Sequence, residues 1–414
     1  MRTLFLATAA FAFSAALSSQ ASAQTFFLDD ATVVAKNGAQ SKTDIIVVDG
    51  VIQGRGARLA APEGAKTIAG GWVTPGLFAS MSSLGLTDIG SSGPGNDVAS
   101  ESSETNISEY AADSFNPRSI HIANVRQNGI THAVIAPRSG GHSIFAGTGA
   151  VISLTGQFDS VLNPEAFVMV ELGERGTVRA GGSRAAAMSQ LRAAIDDADG
   201  FFKRYADAPD GGDVLSRQDA QAFTRAVKGD IPLLIRINRA ADIMRVIDIK
   251  SKNPSLNIIL VGAAEAWEVA DEIADANIRV IIDPLKNLPD SFESLGSRLD
   301  NVIFLEKAGV DYAISNLGSL GVAKPATLSQ HAGAAVVEGL RWDQAFSAMS
   351  SNPAKWFGID EPTVVVWDKD PMEVTSAPLA MSINGVAQSM TSRQKALRDR
   401  YNPLNSDERP HKYR

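Results

Sequence analysis

The stretch Ile231-Pro232-Leu233-Leu234-Ile235-Arg236-Ile237-Asn238-Arg239 sets the reading of the fold, together with Ile258-Ile259-Leu260-Val261 and Ile278-Arg279-Val280-Ile281-Ile282-Asp283-Pro284 downstream. Each is a short, nearly continuous apolar run rich in β-branched residues, as expected of a strand covered on both faces. Residues 240–252 and 266–276 lie between them with apolar side chains at helical spacing. Working outward, the same alternation continues. Residues 120–128 read as a helix stopped by Gly129, and 133–136 and 167–172 as strands. Residues 183–205 read as a long helix, 292–307 as another and 312–315 as a strand. Repeated strand–helix alternation predicts an α/β protein with a parallel sheet and helices outside it. A doubly wound sheet and a closed barrel both fit that pattern.

The ends of the chain differ from this body. Asp44-Ile45-Ile46-Val47-Val48 and Val51-Ile52 flank Asp49-Gly50, a two-residue hairpin signal. Residues 85–113 are rich in Gly, Ser, Asn and acidic residues and read as a long loop. Toward the other end, residues 327–338 and 343–349 read as helices, and Asn352-Pro353 as the capped start of a third. Strands at 363–367 and 380–383 follow, with Asn384-Gly385 as a turn, then a charged tail over 389–414.

Residues 1–23 carry Arg2, an uncharged apolar run from Leu4 to Leu17, and Ala21-Ser22-Ala23 as a small-residue cleavage site. That is the pattern of a secretory signal peptide, so the expected location is periplasmic or secreted. A formal net charge of -8 with no basic stripe excludes nucleic acid and anionic membrane as expected partners. The absence of cysteine removes disulfides, thiolate metal sites and a thiol nucleophile together. The five histidines are His121, His132, His142, His331 and His411, and no pair of them has metal-ligand spacing.

Several stretches resemble the amidohydrolase superfamily, in particular its imidazolonepropionase-like exported group. Val73-Thr74-Pro75-Gly76-Leu77 resembles the strand that enters the barrel, and residues 45–52 the hairpin before it. Asn352-Pro353-Ala354-Lys355-Trp356-Phe357-Gly358-Ile359 resembles a helix near the barrel's end. Residues 365–371 followed by Ile383-Asn384-Gly385 resemble the closing strands. The resemblance spans nearly the whole chain after residue 23, in order. It implies a (β/α)8 TIM-type barrel over 75–359 and a small composite β-sandwich from 24–74 and 360–388, with the site at the C-terminal ends of the barrel strands.

The departures fall on the positions where the resemblance would place metal ligands. Met81 and Ser83 stand where relatives carry two histidines, Arg236 and Asn238 around the next, and Gly262 after Val261 in place of another. Ala313-Ile314-Ser315-Asn316 lacks the aspartate expected after the last strand. Glu174, in Leu172-Gly173-Glu174, is the one carboxylate that matches the pattern. Catalytic zinc-type sites need imidazole or carboxylate donors, and a guanidinium has no lone pair to give. With a strand period of two, Arg236 and Asn238 share a face, so Arg236 is expected to fill the lost metal's volume and pair with Glu174 or with an acidic ligand.

The resulting expectation is an exported homologue with no cofactor and no catalytic residues, which binds a small molecule or partners an active relative as a homo- or hetero-oligomer. The alternative is an active hydrolase of carbon–nitrogen bonds, or of small peptides, with one zinc-type divalent metal held by Glu174, His142 and Asp283. His142, in the loop Arg138-Ser139-Gly140-Gly141-His142-Ser143, is a candidate general base near Ser143 or Ser83, with no evident carboxylate to orient it.

Overall fold

A computed structural model describes residues 25–90, 93–101, 106–201, 214–318, 322 and 324–401. The expected signal peptide, and the tail beyond 401, lie outside the described residues. The chain begins with β1 (Thr25–Val34), β2 (Gln40–Val48), β3 (Val51–Gly56), β4 (Lys66–Ala69) and β5 (Trp72–Thr74). Asp49 (φ 51°) and Gly50 (φ 78°) make the hairpin turn between β2 and β3, both in the left-handed region that such a turn requires. The body follows as β6 (Leu77–Ser82), α1 (Ile120–Arg126), β7 (Ile130–Ile135), β8 (Phe145–Ser153), β9 (Val161–Glu171), α2 (Glu174–Arg179), α3 (Arg184–Asp199) and α4 (Arg217–Val227). It continues through β10 (Leu233–Ile237), α5 (Ala240–Lys252), β11 (Ile258–Gly262), α6 (Ala270–Asp275), β12 (Arg279–Ile282), α7 (Asn301–Ala308), β13 (Tyr312–Ile314), α8 (Leu328–Val337), α9 (Trp342–Ala348) and α10 (Ser351–Trp356). Strands β14 (Thr363–Trp367), β15 (Pro378–Ile383) and β16 (Val386–Ala387), then helix α11 (Arg393–Tyr401), complete it.

Two eight-stranded sheets result. The terminal segments form one, in the order β16-β15-β14-β5-β1-β2-β3 with β4 also on β1. Where a composite β-sandwich was expected, the strands hydrogen-bond as one continuous sheet that branches at β1. A register shift between Leu28 and Ala31 bends β1, with Asp30 at φ 53°, so its first half pairs with β4 and its second with β5. Among the described residues no helix is long and apolar enough to cross a membrane.

The second sheet runs β13-β12-β11-β10-β9-β8-β7-β6 and curls into a nearly closed barrel. It departs from a uniform (β/α)8 barrel in two ways. β8 runs antiparallel to both β7 and β9, and no backbone ladder joins β6 to β13 among the described residues. That seam is bridged by Ser80 Oγ donating to Ile314 O at 3.3 Å and by Phe78 N–H donating to Met349 O at 2.9 Å.

Strand alternation then sorts the side chains. Phe78, Val134, Phe167, Met169, Leu234, Ile259, Val261, Ile281 and Ala313 fill the barrel, while their neighbours in sequence pack outward under the helices. β8 is small and glycine-rich because the ring of Phe167 lies against Gly149, where an added Cβ would overlap it.

Other local departures have local causes. The helix expected over 292–307 breaks, because Gly296 O accepts from Trp267 Nε1 at 2.9 Å and Gly296 N–H donates to Glu265 Oε1 at 3.3 Å. The expected cap at Asn352 is not formed. α10 starts at Ser351, and Asn352 Nδ2 donates to Tyr312 O at 2.9 Å. Gly149→Val is expected to destabilise the fold by about 1–3 kcal/mol by overpacking. Phe167→Ala should cost about 3–5 kcal/mol. Urea denaturation of the double variant should give less than the sum of the two, since removing the Phe167 ring relieves the overlap that the valine creates.

Candidate functional site

At the C-terminal ends of the barrel strands lies a cavity of about 220 Å³ lined by Met81, Ser83, Arg138, Glu171, Arg175, Arg236, Asn316 and Lys324, with apolar walls from Ala136, Pro137, Leu317, Val322 and Pro325. Arg236 sits on the inward face of β10, one period beyond Leu234, and is paired in register with Glu171 on β9. Glu171 is itself one period beyond Met169 and is 2 % exposed.

Its carboxylate ties the mouth together. Glu171 Oε2 accepts from Ser139 Oγ at 2.6 Å and lies 3.3 Å from Arg175 Nε; Oε1 lies 3.6 Å from Arg236 Nε. Four cationic side chains therefore line the cavity with one carboxylate. Burial holds the Arg138 guanidinium below its usual range, and the charges of Arg236 and Arg175 push it the same way. Burial, then Arg138 and Arg236, lowers the Lys324 ammonium to about 8, opposed by Asp283.

The expected site residues divide into two groups. Met81, Ser83, Arg236 and Asn316 meet around the cavity. Glu174, Asn238 and Gly262 do not line it and gather instead beside Glu293. Glu174 N–H donates to Glu293 Oε2 at 2.7 Å, Glu293 N–H to Glu174 Oε1 at 3.1 Å, and Asn238 Nδ2 to Glu293 Oε1 at 2.9 Å. Gly262, at φ 98°, leaves the space that the Asn238 amide fills. The expected Arg236–Glu174 pair is thus replaced by Arg236–Glu171. Glu174 lies past Gly173 in the first turn of α2, turned out of the strand's inward row. Glu171 was legible from the period of two in Phe167, Met169, Glu171; Lys324 and Arg175 carried no such signal.

Asp283, at the end of β12, accepts from His331 Nδ1 at 2.8 Å and from Leu317 N–H at 3.0 Å. Its oxygens are thereby engaged, and Glu174, His142 and Asp283 are not brought together. Among the described residues no three His, Asp or Glu side chains are grouped to hold a metal. One carboxylate, Glu171, already engaged by Ser139, Arg175 and Arg236, does not with thioether, hydroxyl, carboxamide and guanidinium groups make a divalent-metal donor set, so the mouth does not fit the zinc-type ion of the alternative reading.

A larger cavity of about 570 Å³ lies at the opposite end of the barrel, between Phe78, His132, Asn352, Lys355 and Glu361. There His132 Nε2 is 2.9 Å from Glu361 Oε2, and Nδ1 is 3.0 Å from Thr131 Oγ1.

No family model and no curated protein sequence matches the chain. Solved structures do. An amidohydrolase from Thermotoga maritima MSB8 superposes with a TM-score of 0.73 at 22 % identity, over 87 % of this chain and 99 % of that one. A Xaa-Pro dipeptidase with bound methionine in its active site gives 0.50 at 13 % identity, over 88 % and 100 %. The chain has the amidohydrolase fold.

Two predictions follow from this geometry. Glu171→Gln leaves the mouth's cations without their counter-charge and is expected to lower stability by about 1–3 kcal/mol in urea titration at pH 7; no change would mean that solvent already neutralises them. Burial depresses the His132 pKa, partly offset by Glu361. The unfolded chain therefore takes up this proton first, near pH 6.5, and the contribution of neutral His132 to stability is lost as pH falls from there through the lower folded value. His132→Gln should flatten that part of the stability–pH curve.

Proposed function

We propose that this protein is a member of the amidohydrolase superfamily whose barrel mouth has exchanged metal chemistry for small-molecule binding, and that it does not hydrolyse carbon–nitrogen bonds. The observation that carries the reading is Arg236. It stands on the inward face of a central strand, paired with Glu171 at 3.6 Å, at a position where the resemblance to amidohydrolases would place a metal ligand. A fixed cation there repels a divalent metal, and without one no group at the mouth lowers the pKa of a bound water toward neutrality. Fold alone does not carry an activity with it.

Export rests on the pattern of residues 1–23. Association with a second subunit, whether a copy of this chain or an active relative, has some support from Leu285, Leu288, Phe292 and Leu295, which are all exposed within one short segment after β12.

Metal analysis of the purified mature protein tests the central claim. The expected result is no stoichiometric zinc, manganese or iron, and no turnover of Xaa-Pro dipeptides or simple amides with or without those ions added. Near-stoichiometric metal together with chelator-sensitive turnover would overturn it.

A further inference from the structure

Two of the four cations at the barrel mouth lack a partner among the described residues, and a third is held only at ion-pair distance. The Arg138 guanidinium is half-buried and makes no hydrogen bond or ion pair among the described residues. The same holds for the Lys324 ammonium. Arg236 Nε is buried without a hydrogen bond and reaches Glu171 only at ion-pair distance. Glu171 cannot serve them all, since Ser139 and Arg175 already share one of its oxygens.

Cations withdrawn from water without a counter-charge are costly, and natural folds seldom keep several in one cavity without a use for them. Guanidinium forks match planar carboxylates and phosphates, with two parallel hydrogen bonds from each. The cavity, at about 220 Å³, limits the guest to a small molecule, and its walls at Met81, Ala136, Leu317 and Val322 suit a short carbon skeleton.

We propose that the barrel mouth binds a small, multiply charged organic oxyanion, a di- or tricarboxylate or its phosphorylated counterpart, gripped by Arg138, Arg236 and Lys324. This rests on the reading that no metal occupies the mouth. Arg175 and Ser139 position Glu171, and Glu171 in turn holds Arg236 in the orientation that receives the anion. Ser83, on the same lining, offers a neutral hydroxyl to the guest, while the Asn316 amide is spent on Lys324 O and Thr327 Oγ1.

The test uses the mature protein at pH 7 and constant ionic strength, with metal content measured on the same sample. Citrate, succinate, inorganic phosphate and acetate are each titrated by calorimetry and by thermal denaturation. At least one of the multiply charged probes is expected to bind one per chain, at least about tenfold tighter than acetate, and to raise the Tm. Preference for citrate or succinate assigns a carboxylate guest; preference for phosphate assigns a phosphorylated one. Arg138→Met and Lys324→Met should each weaken that binding about fivefold or more. Both should leave the ligand-free Tm unchanged or higher, because each removes an unpaired cation. Lys324→Met, which breaks no ion pair, guards against misfolding. A metal-free protein that binds none of the probes better than acetate, or a Lys324→Met variant that binds as the parent does, would refute the anion site and leave the metal-free reading standing. Stoichiometric metal in the sample would defeat both.

Discussion

A single buried carboxylate organises the mouth of this barrel. Glu171 closes β9 and receives Ser139 from the loop after β7, Arg236 from β10 and Arg175 from α2. In a medium less polar than water, attraction between opposite charges and repulsion between like charges both grow. The same carboxylate therefore holds Arg175 and Arg236 at ion-pair distance and leaves Arg138 and Lys324 without a counter-charge among the described residues. Burial first, and then the neighbouring cations, hold both Arg138 and Lys324 below their usual pKa ranges. Charge imbalance of this kind is the physical basis of the proposed preference for an anion over a divalent cation.

The barrel's irregularities serve that arrangement. Because β8 runs against its neighbours, the segment between β7 and β8 folds back at the mouth end, carrying Arg138 and Ser139 to Glu171. At the seam between β6 and β13, where backbone pairing is absent among the described residues, a serine hydroxyl and the Met349 carbonyl take up the bonding that a ladder would supply. Beside the mouth, Glu293 performs a separate structural task. It satisfies the Glu174 amide and the Asn238 amide group, which is why these two side chains face each other's supports and not the cavity.

Much of the fold was legible in the chain. The apolar runs at β10, β11 and β12, the helix over Ala240–Lys252 and the Asp49-Gly50 and Asn384-Gly385 turns follow from periodicity and from turn chemistry, both local properties. The inward direction of Arg236 followed from the same period of two. The site was legible only in part. Met81, Ser83, Arg236 and Asn316 do meet, but Glu174 was taken for the carboxylate that Glu171 supplies. The two lie three residues apart, on either side of the strand end, and the family resemblance pointed to the one beyond it.

By itself, the sequence determined the order of strands and helices, the scarcity of histidine and the presence of a fixed cation on a barrel strand, because residue type and short-range spacing encode these. Only the tertiary structure decided which carboxylate meets Arg236, that a glycine-rich segment becomes the antiparallel β8, and that Arg138, Arg175 and Lys324 converge on one cavity. Those outcomes depend on side chains far apart in the chain competing for the same volume and the same charge, and no local pattern records the result.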